Sequence, residues 1–207
     1  MTYPVFLKLS GKRCVVVGAG EVAMRKITAL LNAGANILAV GPTATAAIRQ
    51  LAESGKIAWS ERDFIPGDLD SAFLVIAATD DRRTNELVYR EADRRGTLVN
   101  VVDSPELCNF FVPAVVDRGR LKVAVSTGGA SPALAAKLRA RFERELGPEY
   151  ADYVEVIDDF RRRIMNKVAD PAGRKRAYER LFASDLLEQV RRGAKIDVET
   201  LVSKHAG

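Results

Sequence analysis

Histidine is nearly absent from this chain. Of 207 residues one is histidine, His205, and it falls in the last few positions, where a disordered tail is expected. Acid–base catalysis by imidazole and a histidine-rich metal site are therefore disfavoured, and no Ser-His-Asp or Cys-His arrangement can be built inside a folded domain. No metal ligands are assigned. Cysteine is scarce as well: Cys14 begins one apolar run, Cys108 follows another, and neither belongs to a CxxC or a His/Cys cluster. Cys14 reads as core and Cys108 as packing near a site. No apolar run reaches membrane-spanning length. The N-terminal stretch "MTYPVFLKLSGKR" lacks the basic-then-apolar layout of a signal peptide. The expected location is the cytoplasm, with no membrane partner.

What is present is an ordinary globular composition, 47% hydrophobic and 29% charged, long enough for one good core and an appendage. The net charge is +5, but both signs are mixed through most of the chain. The clearest basic runs are Arg161–Arg163 and Gly173–Arg180. They read as a solvated helix face, or as a surface for a partner carrying many carboxylates or phosphates. Nucleic acid is not an expected partner, because no recognition module fits before Gly18 and none is visible in the tail.

Periodicity divides the chain. In the first half, short apolar runs alternate with helical patterns: "RCVVVG", "NILAVG", "KIAWSE", "AFLVIAAT" and "TLVNVV" read as five strands. The helix "EVAMRKITALLNAG" places Ala23, Ile27, Leu30 and Leu31 on one stripe, with Gly34 at its stop. Nearly all-apolar strands separated by helices imply an α/β fold, a Rossmann-like parallel sheet covered on both faces, in the order 3-2-1-4-5. After Asp103 the pattern changes. "FFVPAVVDRG" and "RLKVAVST" read as two strands joined by a turn at Asp117–Arg120. A helix then starts near Pro132, capped by Ser131 and striped by Leu134, Leu138 and Phe142. From Gly147 onward the chain reads as helical, with breaks at Gly147-Pro148, Asp170-Pro171 and Gly193. The expected domains are 1–112, nucleotide-binding; 113–146, a small β-β-α segment; and 147–207, a helical C-terminal domain.

"VVVGAGEVA" holds Gly18, Gly20 and Ala23 in a G-x-G-x-x-A pattern between a strand and a helix, the context a dinucleotide fingerprint requires. Gly18 permits the tight turn, Gly20 lets a pyrophosphate approach the backbone, and the helix N-terminus at Glu21 and Val22 attracts it. Strand two should end in an acid that holds the adenosine ribose, yet it ends "AVGPTAT". Pro42, Thr43 and backbone groups must serve instead, which leaves NAD, the expected cofactor, less securely separated from NADP. "IAATDD" places Thr79 and Asp80 on the cofactor side, with Asp80 also suited to cap the following helix. Strand five meets one carboxylate, Asp103, followed by Ser and Pro. Out of context that is turn chemistry. At the carboxyl end of an open parallel sheet it is also where ligands sit, and a carboxylate there can take a proton while a hydride leaves for the cofactor. "STGGASP" is a small-residue turn before a capped helix, able to hold an anion through free N–H groups or simply to turn the chain.

Taken together, "FLKLSGKRCVVVGAGEVAMRK", "FLVIAATDD", "NVVDSPELCNFFVPAVVDRG" and "AVSTGGASPALA" resemble the siroheme-synthase N-terminal module, whose stand-alone members are precorrin-2 dehydrogenases. The segments come in the family's order over most of residues 5 to 146. The resemblance implies NAD-dependent oxidation of precorrin-2, a tetrapyrrole with eight carboxylates, to sirohydrochlorin. It implies a homodimer in which 113–146, as the β-β-α dimerisation segment, and the tail cross to the partner. It also implies Asp103 as general acid/base, and Asn100, Ser126, Thr127 and Gly128 at the substrate. The methyltransferase domain fused in some relatives has no room in 207 residues. Two alternatives stay open. One is a bifunctional enzyme that also inserts ferrous iron into sirohydrochlorin. The other is an NAD-sensing regulatory domain of a potassium transport system, which "AVGPTAT" and the NVVD–STGGASP pair disfavour.

Overall fold

The computed structural model describes residues 2–205. The chain folds as two compact units, Met1–Val112 and Pro113–Gly207.

The first unit is a five-stranded parallel sheet. Its strands are β1 (Arg13–Val17), β2 (Asn36–Val40), β3 (Ala58–Ser60), β4 (Leu74–Ala77) and β5 (Leu98–Val101), in the order β3-β2-β1-β4-β5. This is the order the alternation of strands and helices predicts. The β1 residues alternate between two cores. Cys14 and Val16 face Ala23 and Ile27 of α1 (Glu21–Asn32) and Ile48 of α2 (Ala46–Glu53). Val15 and Val17 face Val88 and Ala92 of α3 (Arg82–Arg95). Burying one such aliphatic side chain contributes about 1.5–3 kcal/mol, so a strand buried on both faces is held from both. The chain leaves β1 toward β2 on one side and returns to β4 on the other. The carboxyl ends of β1 and β4 therefore flank the point where the strand order reverses, the usual ligand crevice of such sheets.

The free edge of β5 is closed by the segment that follows it. Asn109 N–H donates to the Val99 carbonyl at 3.0 Å, its Oδ1 accepts the Val99 N–H at 2.7 Å, and its Nδ2 donates to the Thr97 carbonyl at 3.0 Å. One asparagine thus stands in for a neighbouring strand and blunts an edge that would otherwise be open to pairing. The next strand consequently begins later than "FFVPAVVDRG" suggests, at Ala114.

The second unit contains the antiparallel pair β6 (Ala114–Arg118) and β7 (Leu121–Val125), then α4 (Pro132–Glu145). The strands run further into the expected Asp117–Arg120 turn, since Asp117 and Arg118 pair with Lys122 and Leu121. Ser131 caps α4 by accepting the Leu134 N–H at 3.2 Å. The stripe on α4 differs from expectation. Leu134 is exposed and Ala135 is the buried residue, because burial here follows the turn facing the strands rather than the longest apolar side chains. The helices α5 (Glu149–Lys167), α6 (Pro171–Phe182), α7 (Leu186–Arg191) and α8 (Val198–His205) enclose a core of Phe160, Ile164, Ala177, Leu181, Leu186 and Val202.

His205 corrects the expectation of a disordered tail. It ends α8, is buried, and meets the Phe160 ring edge-on at 6.5 Å between centroids. Val202 and His205 lie three apart on one helix face, so the side that seats the valine also buries the imidazole. Burial, with the Lys204 and Arg180 charges adding, pushes its pKa below the ordinary value. Among the described residues no helix is long and apolar enough to cross a membrane.

Candidate functional site

Gly18 leaves β1 with φ +103°, and a Cβ there would lie 2.3 Å from the Ala78 carbonyl oxygen. Only glycine meets both conditions. Gly18 N–H donates to the Val40 carbonyl and Ala78 N–H to the Val17 carbonyl, each at 2.7 Å, so the ends of β2, β1 and β4 are drawn together beneath the loop. Gly20 differs: a Cβ on it would meet nothing within 4 Å. That space belongs to a crevice of about 490 Å³. Gly20 is also the N-cap of α1 and supplies no side-chain cap, so among the described residues the N-cap leaves the first N–H groups of α1 uncapped where the crevice begins.

The crevice gathers Gly18, Gly20, Glu21, Val22, Pro42, Thr43, Thr79 and Asp80, all eight of the residues expected at the cofactor. Trp59 Nε1 donates to the Gly41 carbonyl at 3.1 Å and fixes the turn after β2. The Thr79 hydroxyl faces Asn85 Oδ1 at 2.8 Å, and Asn85 Nδ2 donates back to the Thr79 carbonyl at 2.9 Å, which ties the end of β4 to α3. Asp80 is not the helix cap. Asp81 is: its carboxylate accepts the Arg83 and Thr84 N–H groups, each at 3.1 Å, and the Thr84 hydroxyl at 2.6 Å. The Thr84 hydroxyl foremost, with those N–H groups, holds the Asp81 carboxyl below its usual range. Capping by the second aspartate leaves Asp80 to line the crevice.

Sequence reasoning missed Asp63, Phe64 and Thr84, which also line it. Asp63 and Phe64 come from the loop after β3. Their signal was available in principle: strand three ends on the same side of the sheet as strands one, two and four. Glu21, Asp63, Asp80 and Asp81 put four carboxylates around the crevice, and no lysine or arginine lines it among the described residues.

Asp103 lies beyond β5 in a turn closed by Ser104 N–H donating to the Val101 carbonyl at 3.3 Å. Its φ is +59°, and among the described residues Ser71 is the one other non-glycine with positive φ. The left-handed conformation costs a non-glycine residue about 1 kcal/mol, least for Asp and Asn. Cys108 braces the turn. Its sulfur accepts the Val101 N–H at 3.2 Å and lies 3.2 Å from the Ser104 carbonyl and 3.3 Å from that of Val101. Burial raises the Cys108 pKa, so it stays a thiol at neutral pH. Asn100 is buried and donates to the Phe110 carbonyl at 3.1 Å, fixing the following segment to the sheet. The exposed Asp103 carboxylate is thus carried on a turn anchored from below.

Ser126, Thr127 and Gly128 lie in the second unit. Their loop is less open than a string of free N–H groups. Ser126 Oγ accepts the Gly128 N–H at 3.2 Å, Thr127 Oγ1 accepts the Ser131 N–H at 2.9 Å, and the Thr127 carbonyl accepts the Ala130 N–H at 3.1 Å. The Ser126 and Thr127 hydroxyls accept in these bonds and each keeps a proton to donate. Among the described residues no group of three or more His, Cys, Asp or Glu side chains could hold a metal ion.

A glycine-floored crevice at the strand-order reversal, opening on a helix N-terminus without a side-chain cap, defines a dinucleotide-binding domain. Residues 5–114 match the family model "Putative NAD(P)-binding". Residues 118–145 match "Sirohaem biosynthesis protein central" and 149–205 match "Sirohaem synthase dimerisation region". The chain belongs to this NAD(P)-binding family and, through the three segments in order, to the siroheme-synthase N-terminal module family. It is 40% identical over 203 residues to the siroheme synthase of Methylococcus capsulatus, covering 98% of this chain and 43% of the relative. To the siroheme synthase of Pseudomonas aeruginosa strain LESB58 it is 41% identical over 202 residues, again 98% of this chain and 43% of the relative. The chain therefore spans less than half the length of these relatives. Among solved structures it is similar to "SirC, precorrin-2 dehydrogenase", with a TM-score of 0.81 and 27% identity, covering 98% of this chain and all of that one.

Proposed function

We propose that this protein oxidises precorrin-2 to sirohydrochlorin with NAD as hydride acceptor, and that Asp103 is the general acid/base. The observation that carries the reading is Asp103 itself. It is a carboxylate held in an unfavourable left-handed turn at the carboxyl end of β5, in the sheet whose β1 and β4 ends form the crevice. Strain of this kind at the carboxyl end of an open parallel sheet is a reason to look for function there. Matches to the siroheme family models and likeness to a precorrin-2 dehydrogenase support the substrate.

The crevice suits a nicotinamide dinucleotide. The space beside Gly20 admits a pyrophosphate to the backbone, and the α1 N–H groups at Glu21 and Val22 receive its charge. Bound there, NAD supplies the hydride acceptor. The protein's own part is to hold the substrate and take the proton released as the hydride departs. Asp103 accepts that proton on its carboxylate, and Cys108 keeps the Asp103 turn in place. Asn100 acts as a positioning residue, through the Phe110 carbonyl. The Ser126 and Thr127 hydroxyls and the Gly128 backbone meet the substrate's carboxylates. The active form is a homodimer, formed through residues 149–205; Val115 and Leu134 leave apolar surface exposed in the same unit.

The test is anaerobic: purified protein, enzymatically made precorrin-2 and NAD, followed by the tetrapyrrole spectrum. The expected result is NAD-dependent conversion to sirohydrochlorin. Oxidation no faster than in the protein-free control would remove the assignment.

A further inference from the structure

The tip of β2 lacks the acid that dinucleotide folds of this order place against the adenosine ribose: Val40 is followed by Gly41, Pro42 and Thr43. The structure brings a carboxylate to that wall of the crevice from elsewhere. β3 pairs with β2 in the register Val40↔Ser60, so the residues after Ser60 leave the sheet beside Gly41–Thr43. Among them Asp63 lines the crevice. Its loop is fixed in place. The Arg62 guanidinium donates to both oxygens of the buried Asp68 carboxylate, at 2.9 and 2.6 Å, and to the Asp63 carbonyl at 2.9 Å. Asp68 also accepts the Ile65 N–H at 3.0 Å, and Phe64 is buried beneath. The Asp63 carboxylate, by contrast, is exposed and has no hydrogen-bond partner among the described residues.

We propose that Asp63 is the carboxylate that receives the ribose hydroxyls of the adenosine half of NAD, in place of the missing acid on β2, and that it excludes the 2′-phosphate of NADP. The inference rests on the nicotinamide-cofactor reading of the crevice. A carboxylate accepts hydrogen bonds from two hydroxyls and repels a phosphate at the same position. The cation next to it in the chain, Arg62, is engaged by Asp68 and turned to the Asp63 backbone, so it does not offset that repulsion.

The chain carries its own reporter. Trp59, the single tryptophan, donates to the Gly41 carbonyl at the crevice wall. Its fluorescence in the full chain, checked by calorimetry, gives the dissociation constants of NAD and NADP for wild type, Asp63→Asn and Asp63→Ala. The wild type is expected to favour NAD. Both variants, with unchanged melting temperature, are expected to narrow the NAD-to-NADP preference by about tenfold or more, weakening NAD and strengthening NADP. An unchanged preference in both variants overturns the role of Asp63 while leaving the cofactor site standing, as does a wild type that favours NADP. A wild type that binds neither cofactor removes the reading of the crevice and this inference together.

Discussion

A Cβ on Gly18 would stand 2.3 Å from the carbonyl oxygen of Ala78, so the first glycine of the fingerprint joins β1 to β4 by close approach of two backbones. Gly20, two residues on, has nothing within 4 Å of where its Cβ would be. The two glycines therefore fail in different ways. Gly18→Ala is expected to destabilise the fold by roughly 2–3 kcal/mol, from the positive φ and the collision together. Gly20→Asp is expected to keep the wild-type melting temperature and lose NAD binding, because a side chain and a negative charge enter the pyrophosphate's space. Thermal melts with NAD titrations of both variants check this; equal behaviour of the two would contradict it.

Cys108 braces the Asp103 turn without touching the crevice. Cys108→Ala leaves the Val101 N–H without its acceptor, at an expected cost of about 1 kcal/mol. The larger effect is kinetic: kcat falls while the dissociation constant for NAD holds, because the turn loses its brace. Cys108→Ser, which keeps an acceptor and a donor, restores part of the lost kcat. A Cys108→Ala enzyme with wild-type kcat would show that the turn needs no such support.

Much of the fold is legible in the sequence because it rests on local pattern. Five apolar runs alternating with helical stripes specify a parallel sheet, and Gly18, Gly20 and Ala23 between a strand and a helix mark where its crevice opens. Asp103 is legible for the same reason, as the polar residue that ends an apolar strand. What escapes depends on contacts between distant segments. Asp63 enters the crevice only because β3 lies beside β2. The brace of Cys108 and the edge cover of Asn109 require the chain to fold back along β5. Burial of His205 requires Phe160, far away in sequence. The choice of Asp81 over Asp80 as the cap turns on one residue of helix phase, which neighbouring aspartates do not reveal.

Asp68 makes stability depend on acid. Burial pushes its carboxyl up, but the Arg62 hydrogen bonds, the Ile65 N–H and the charges of Arg62 and Arg13 outweigh this and hold it below 3.8. A carboxyl depressed in the folded state contributes stability that is fully present above its unfolded value and is lost as pH falls below about 4. Asp68→Ala is expected to lower stability at pH 7 by about 2 kcal/mol and to flatten the acid limb below pH 4. It also frees the loop that carries Asp63. Denaturant melts across pH 2–7 measure both effects, and parallel wild-type and variant curves below pH 4 would contradict them.

His205 acts in a higher window. Its pKa is lowered in the folded protein by burial, with Lys204 and Arg180 adding to the effect. The unfolded chain therefore binds the proton more readily, and folding stability falls as pH drops below the ordinary value of 6.5. His205→Leu is expected to remove this dependence between about pH 6.5 and 5. Melting curves that keep their slope in the variant would place its origin elsewhere.

The most direct test of the proposed chemistry is Asp103→Asn. Asparagine tolerates the left-handed turn as well as aspartate does, so the φ of +59° is kept, but it cannot take up a proton in this range. The measurement is anaerobic turnover of precorrin-2 with saturating NAD, beside the melting temperature and the NAD dissociation constant of the same preparation. The expected result is an unchanged fold, unchanged NAD affinity and a kcat lower by about two orders of magnitude or more. Near-wild-type turnover in a folded, NAD-binding Asp103→Asn protein would contradict the assignment and leave the strained aspartate as a turn residue alone.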